Sequence, residues 1–168
     1  NYRTHLNEGM TDEKLEQAIL FSAECGCSLI DVMGDLFCPS LDEIALDEEA
    51  GRRQKELIRR IHSLGAEVLM SSHTHRYLPP EEVIKIAKIQ EERGADIMKI
   101  VTMADSEEEQ NSNFEISARL NCEISKPVLF LCGGSYCERH RLVAPLITNG
   151  IFLCVVEQDE FTTPMQPL

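Results

Sequence analysis

Long apolar runs are missing from this 168-residue chain; nothing approaches the roughly 20 consecutive apolar residues that span a bilayer. Positive charge is scarce as well, with 16 Lys and Arg against 29 Asp and Glu and a formal net charge of −13. The field of such a molecule repels polyanions, which excludes nucleic acid and anionic membrane surfaces as partners. A small anionic substrate is still accommodated where a local arginine holds it. No charged and then apolar leader opens the sequence, which reads as a soluble, cytoplasmic protein. Low-complexity tracts are absent too. With 43% hydrophobic and 27% charged residues, the composition is that of one globular domain over residues 1–168 with a real core.

Paired cysteine spacings such as Cys-x-x-Cys are also lacking. The seven cysteines, at positions 25, 27, 38, 122, 132, 137 and 154, are odd in number and fit reduced thiols in a reducing compartment. Cys132 and Cys154 lie in apolar, strand-like runs where free cysteine behaves as a small hydrophobe. A zinc site built on Cys25, Cys27 and a histidine is the lesser reading, because the four-ligand spacing is missing. No Gly-x-Gly-x-x-Gly and no Gly-x-x-x-x-Gly-Lys-Ser/Thr follows any strand-like run, which removes the main support for a nucleotide-binding doubly wound sheet.

What is present is a regular alternation. Thr11-Asp12-Glu13 starts a helix with a capping hydroxyl and early acids, and Ser28 to Met33 reads as a strand. Glu48 to Ser63 is helical with Gly65 as its stop, and Glu67 to Ser72 is the next strand. Pro79-Pro80-Glu81-Glu82 begins a helix that Gly94 ends. Then come a strand over 97–102, a helix from Ser106 to Leu120, a strand over 127–132, a helix over 138–148 and a last strand over 151–156. The strands are nearly continuous apolar runs, as in a parallel sheet covered on both faces. They recur with the spacing of βα repeats.

One residue breaks this pattern. Lys99 sits inside Gly94-Ala95-Asp96-Ile97-Met98-Lys99-Ile100-Val101, where aliphatic side chains belong. A lysine there loses hydration, which favours the neutral, nucleophilic amine and imine formation with a carbonyl substrate. His73 ends the preceding run, Val68-Leu69-Met70-Ser71-Ser72-His73. Polar residues thus collect at the C-terminal ends of successive strands, at His73, Lys99 and the 133–141 loop, where a (β/α)8 barrel keeps its active site. The bland alternatives are a structural Lys99 paired with Asp31 or Asp96, and a satisfied core histidine at 73. If the strand continues past His73, His75 shares its face and a metal pair is conceivable; a solvent-facing loop position is the expected reading. Glu107-Glu108-Glu109 is most simply the first turn of a solvated helix.

Four segments in this order and spacing, Ser71-Ser72-His73 with Leu78-Pro79, Gly94-Ala95-Asp96-x-x-Lys99-Ile100, Arg141 after a glycine-containing loop, and Thr163-Pro164-Met165-Gln166, resemble the type I 3-dehydroquinate dehydratases. The resemblance runs from Tyr2 to Gln166. It implies a parallel α/β (β/α)8 TIM-type barrel and a lyase that dehydrates 3-dehydroquinate to 3-dehydroshikimate in the shikimate pathway. It assigns the Schiff base to Lys99 and proton transfer to His73, with Glu8 orienting that histidine. Arg3 and Arg141 would bind substrate, and Thr162 and Gln166 would close a loop over it. No metal or organic cofactor is expected, because the imine itself is the electron sink. The expected ligand is a small anionic keto acid and the expected assembly a homodimer.

The sequence also departs from the family. Early strands, one of which brings a Glu and an Arg into the site, have no counterpart before Asn1, and the terminal helix after Gln166 is missing. Because such a barrel takes about 200 residues or more, an incomplete barrel is expected, with six strands and open edges. Cys137 and His140 stand where small residues precede the arginine. Thr74-His75 replaces an Asp-Phe pair, Met33 an acid, and Met165 a glycine of the lid. Without the resemblance, Arg141 would be a surface residue and Gln166 part of a loose tail. Two other functions stay open: a catalytically impaired binding or scaffold domain, and an aldolase-type Schiff-base enzyme acting on another small keto compound.

Overall fold

Helix boundaries in the structure, a computed structural model that describes residues 9–160, 162 and 166, follow local backbone chemistry. Thr11 accepts the Lys14 N–H and starts α1 (Asp12–Glu24), and Asp47 accepts the Ala50 N–H and starts α2 (Glu48–Ser63). Each cap satisfies a first-turn donor that has no partner within the helix. α3 (Pro80–Arg93) carries proline in its first turn and closes on Gly94, whose φ of 101° lies in the left-handed region that glycine enters without steric cost. Ser106 caps α4 (Glu107–Glu123), whose first turn holds Glu107, Glu108 and Glu109, and α5 (Glu138–Ile147) follows.

Four strands alternate with these helices: β1 (Leu29–Met33), β2 (Glu67–His73), β3 (Ile97–Met103) and β4 (Val128–Gly133). They pair in the order β1-β2-β3-β4, all parallel, with Ser71 beside Lys99 and Lys99 beside Leu129. Side chains alternate between faces. Ile30, Val32, Val68, Met70, Met98, Ile100, Val128 and Phe130 point under the helices, where they join Leu57, Ile61, Val83, Ile116 and Leu120 in the main core. The opposite face carries a smaller apolar patch of Leu69, Ile97, Leu129 and Leu131, with Val101 and Ile151 packed against it. This is the inner face of an arc of (β/α) barrel. Among the described residues no helix is long and apolar enough to cross a membrane.

The expected strand over 151–156 does not form. Pairing beyond β4 stops at an isolated bridge between Val128 and Gly150, and Phe152, Leu153 and Val156 are exposed. An apolar run becomes a strand only when it finds a surface to pack on and a ladder to join; this one finds no ladder beyond Gly150, and only Ile151 packs on the sheet. Cys154, expected inside that strand, is exposed with it, whereas Cys132 in β4 is buried as expected. The sheet of the described residues therefore has four strands rather than six, and the opening segment around Arg3 lies outside the described residues.

His140 explains its own presence in α5. Its ring is fully buried between Phe114 and Phe130, with centroids 5.3 and 5.2 Å away. Ser117 Oγ donates to the Asn113 carbonyl (2.8 Å) and so accepts from His140 Nε2 at 2.9 Å. That assigns the proton of the neutral ring to Nε2. It leaves the Nδ1 lone pair with no partner among the described residues. Burial, aided by the Arg141 charge and opposed by the Asn113 backbone, pushes the imidazole down to about 4.

The long β1 to α2 connection is folded tightly against the sheet. Gln54 Nε2 donates to the Gly34 and Leu36 carbonyls (3.0 and 2.7 Å), and buried Arg93 donates to the carbonyls of Gly34 and Ala45. Ser40 takes its backbone N–H to Asp35 Oδ2 and its hydroxyl to the Ile44 carbonyl. A Cβ at Gly34 would come within 2.5 Å of the Glu43 carbonyl oxygen and 2.7 Å of Ser72 Oγ, so only glycine lets the loop lie this close to β2. Gln54→Ala leaves the Gly34 carbonyl its Arg93 and Ala45 donors but strips the Leu36 carbonyl of its amide donor, and a loss of about 1–3 kcal/mol is expected in a urea melt.

Candidate active site

Lys99 and His73 share the inner face of the sheet. Ser71 is the register partner of Lys99, and His73 lies two residues further along β2, beside Val101. Both side chains therefore rise from the same side of adjacent strands, with Leu69, Ile97, Leu129 and Leu131 as the floor. His73 ends β2, whereas Lys99 lies inside β3, which runs on to Met103, rather than at its C-terminal end. The lysine is not surrounded by hydrocarbon alone, as its sequence context suggests. Asp31 Oδ2 lies 3.9 Å from Lys99 Nζ, and Asp31 Oδ1 accepts the Ser71 hydroxyl at 2.6 Å. Asp96, the other acid considered beside Lys99, is committed elsewhere. It accepts from the Val68 N–H at 2.9 Å, lies 2.7 Å from His62 Nε2 and 3.5 Å from Lys126 Nζ. Burial opposes its ionisation, yet the Val68 N–H and the His62 ring hold its carboxyl below the usual range.

His73 is held by a residue that sequence reasoning missed. Glu43 Oε2 lies 2.8 Å from His73 Nδ1 and accepts the His73 backbone N–H at 2.9 Å. Glu43 stands in the β1 to α2 connection, and its own carbonyl accepts the Ser72 hydroxyl at 2.7 Å. The resemblance gives this orienting task to Glu8, which lies outside the described residues, as does Arg3. β2 ends at His73, and His75 is exposed in the following loop rather than continuing the strand.

Arg141 is not the solvated surface residue that its place in the first turn of α5 suggests. It is buried, and its Nε donates to the Cys132 carbonyl at 2.7 Å, at the C-terminal end of β4. The guanidinium is therefore tied to the strand end on which the site opens. Thr162 and Gln166 engage their own segment. Thr162 Oγ1 accepts the Asp159 N–H at 2.9 Å, and the Gln166 carbonyl accepts from Gln158 Nε2 at 2.7 Å. Among the described residues no three His, Cys, Asp or Glu side chains converge as a metal site requires.

The fold and this face define a parallel (β/α) barrel arc that carries a lysine and a carboxylate-held histidine on adjacent strands. Residues 2–165 match the family model of type I 3-dehydroquinase, and the chain belongs to that family. Similar solved structures include 3-dehydroquinate dehydratase from Geobacillus kaustophilus (19% identity, TM-score 0.75), matched over 94% of this chain and 56% of that one. The type I enzyme from Clostridium difficile, solved with covalently modified comenic acid, gives 17% identity and a TM-score of 0.76 over 94% and 57% of the two chains. The likeness extends to dihydrodipicolinate synthase from Oceanobacillus iheyensis, with 13% identity and a TM-score of 0.56 over 89% of this chain and 49% of that one. At these identities the likeness is one of fold. The chain spans little more than half the length of the dehydratases named here. No curated protein matches it in sequence.

Proposed function

We propose that the chain dehydrates 3-dehydroquinate to 3-dehydroshikimate through an imine on Lys99. The neutral amine attacks the ketone carbon and water leaves as the imine forms. His73 takes a proton from the adjacent carbon, and the electron pair moves into the imine nitrogen. The resulting enamine expels the hydroxyl, which leaves as water with the proton carried by His73. Hydrolysis of the imine then frees the product and the lysine. The observation that carries this reading is the placement of Lys99 and His73 on one face of adjacent strands, in a chain of the type I 3-dehydroquinase family.

In this reading the Arg141 guanidinium, anchored through Nε, presents its remaining donors to the substrate carboxylate. Arg3, Thr162 and Gln166 keep the substrate-contacting and substrate-closing roles that family position gives them, in a cytoplasmic homodimer. No cofactor takes part, since the imine nitrogen accepts the electrons. The test is borohydride trapping with 3-dehydroquinate, followed by intact and peptide mass spectrometry. A reduced adduct on Lys99 is expected. Folded protein that yields no adduct would instead be an impaired binding domain of the same family, or a Schiff-base enzyme for another small keto compound.

A further inference from the structure

Glu43 makes one oxygen serve two donors of the same histidine. Its Oε2 receives the His73 backbone N–H at 2.9 Å and lies 2.8 Å from Nδ1, with both side chains largely withdrawn from solvent. An ionised carboxylate only accepts, so a neutral His73 must present its Nδ1 as N–H and leave the Nε2 lone pair to receive a proton. The same carboxylate is the counter-charge for the imidazolium that forms once Nε2 takes that proton. We propose that Glu43 is a positioning residue for His73, setting its tautomer and stabilising its charged state during turnover.

The connection is built to hold Glu43 at this spot. Its φ of 45° lies in the left-handed region, an uncommon conformation for a residue with a Cβ. The strain is over-determined by its surroundings: the Ser72 hydroxyl donates to the Glu43 carbonyl, Gly34 leaves room for that carbonyl, and Arg93 clamps both Gly34 and Ala45. A carboxylate that merely capped the end of β2 would have no need to take the ring nitrogen as well. The residue acts through the histidine and touches none of the reacting atoms.

The catalytic part of this proposal rests on the dehydratase reading; the tautomer part does not. Glu43→Ala and Glu43→Gln are compared with the parent by nitrogen NMR of the histidine ring and by turnover of 3-dehydroquinate. In the parent the His73 proton is expected on Nδ1, and in Glu43→Ala on Nε2, with kcat lower by about 10²-fold and KM little changed. Glu43→Gln keeps an oxygen acceptor for the backbone N–H but removes the charge, so kcat still falls by about 10-fold even though the loop is intact. Full activity in Glu43→Gln would reduce Glu43 to a structural cap and overturn the proposal, and so would a folded Glu43→Ala that keeps the Nδ1 tautomer. If the parent turns over no 3-dehydroquinate while the tautomer shifts as expected, the dehydratase reading fails and the positioning role stands.

Discussion

Lys99→Met is expected to abolish both the borohydride adduct and turnover of 3-dehydroquinate, whereas His73→Ala keeps the adduct and lowers turnover by about 10²- to 10⁴-fold, the ordinary range for a positioned acid or base. The two outcomes separate because the two residues act at different stages. Without the amine no covalent intermediate exists, and nothing else on this face of the described sheet can supply one. Without the imidazole the imine still forms, but its neighbouring carbon keeps its proton. Methionine is a fair test at position 99, since its side chain can lie against Ile97, Val101 and Leu129 without a large void. The substitution costs Asp31 its ammonium neighbour but leaves the Ser71 hydroxyl donating to it. An adduct that persists in Lys99→Met, on another lysine, would remove the special standing of this residue. Thermal melts of the variants guard against a trivial loss of fold.

A second large effect is expected in the core behind Arg141. The buried His140 ring is pushed down to about 4 from the ordinary imidazole value of 6.5, so between those pH values the unfolded chain binds a proton that the native protein refuses. Its contribution is complete above pH 6.5 and is lost as pH falls toward about 4, with a magnitude on the order of 3 kcal/mol. The physical origin is visible in the contacts. A proton on Nδ1 would add a charge and a donor to a site walled by Phe114 and Phe130, with the Arg141 cation nearby. Urea unfolding at a series of pH values should show this slope in the parent, and His140→Leu should flatten it within the same window. A parent curve with no slope between pH 6.5 and 4 would mean that the ring is reached by water or relieved by movement of α5.

The helices and strands were legible because their signals are local. Pro79-Pro80 with Glu81 and Glu82 announces the start of α3, Gly94 its end, and Glu48–Ser63 is read without error because its cap, its apolar spacing and its stop all agree. The failure over 151–156 is of another kind. Ile151 to Val156 has the composition of a strand, but pairing is decided by what lies alongside, which the run itself does not encode. The site divides in the same way. Lys99 betrays itself as a charge inside an apolar run, and His73 as a polar residue at the end of one. Glu43 lies in Ser40-Leu41-Asp42-Glu43, a stretch without periodicity, and meets a histidine 30 residues away. Nothing local distinguishes it from Asp42, which turns outward to Arg76. A hint was available in Gly34: a glycine directly after a strand marks a close approach of backbone, and here the approaching carbonyl is that of Glu43.

Strand order in this sheet is the order of the chain itself: Leu29 meets Glu67, Leu69 meets Ile97, and Met98 meets Val128. During synthesis each described strand after β1 thus emerges from the ribosome to find a partner already made. Growth of the sheet is an addition of one strand and one covering helix at a time, in which the loop to be closed is always the short one just completed. Lys99 enters the sheet after both Asp31 and His73 are in place, so the face on which the chemistry is proposed is assembled around the lysine as it arrives.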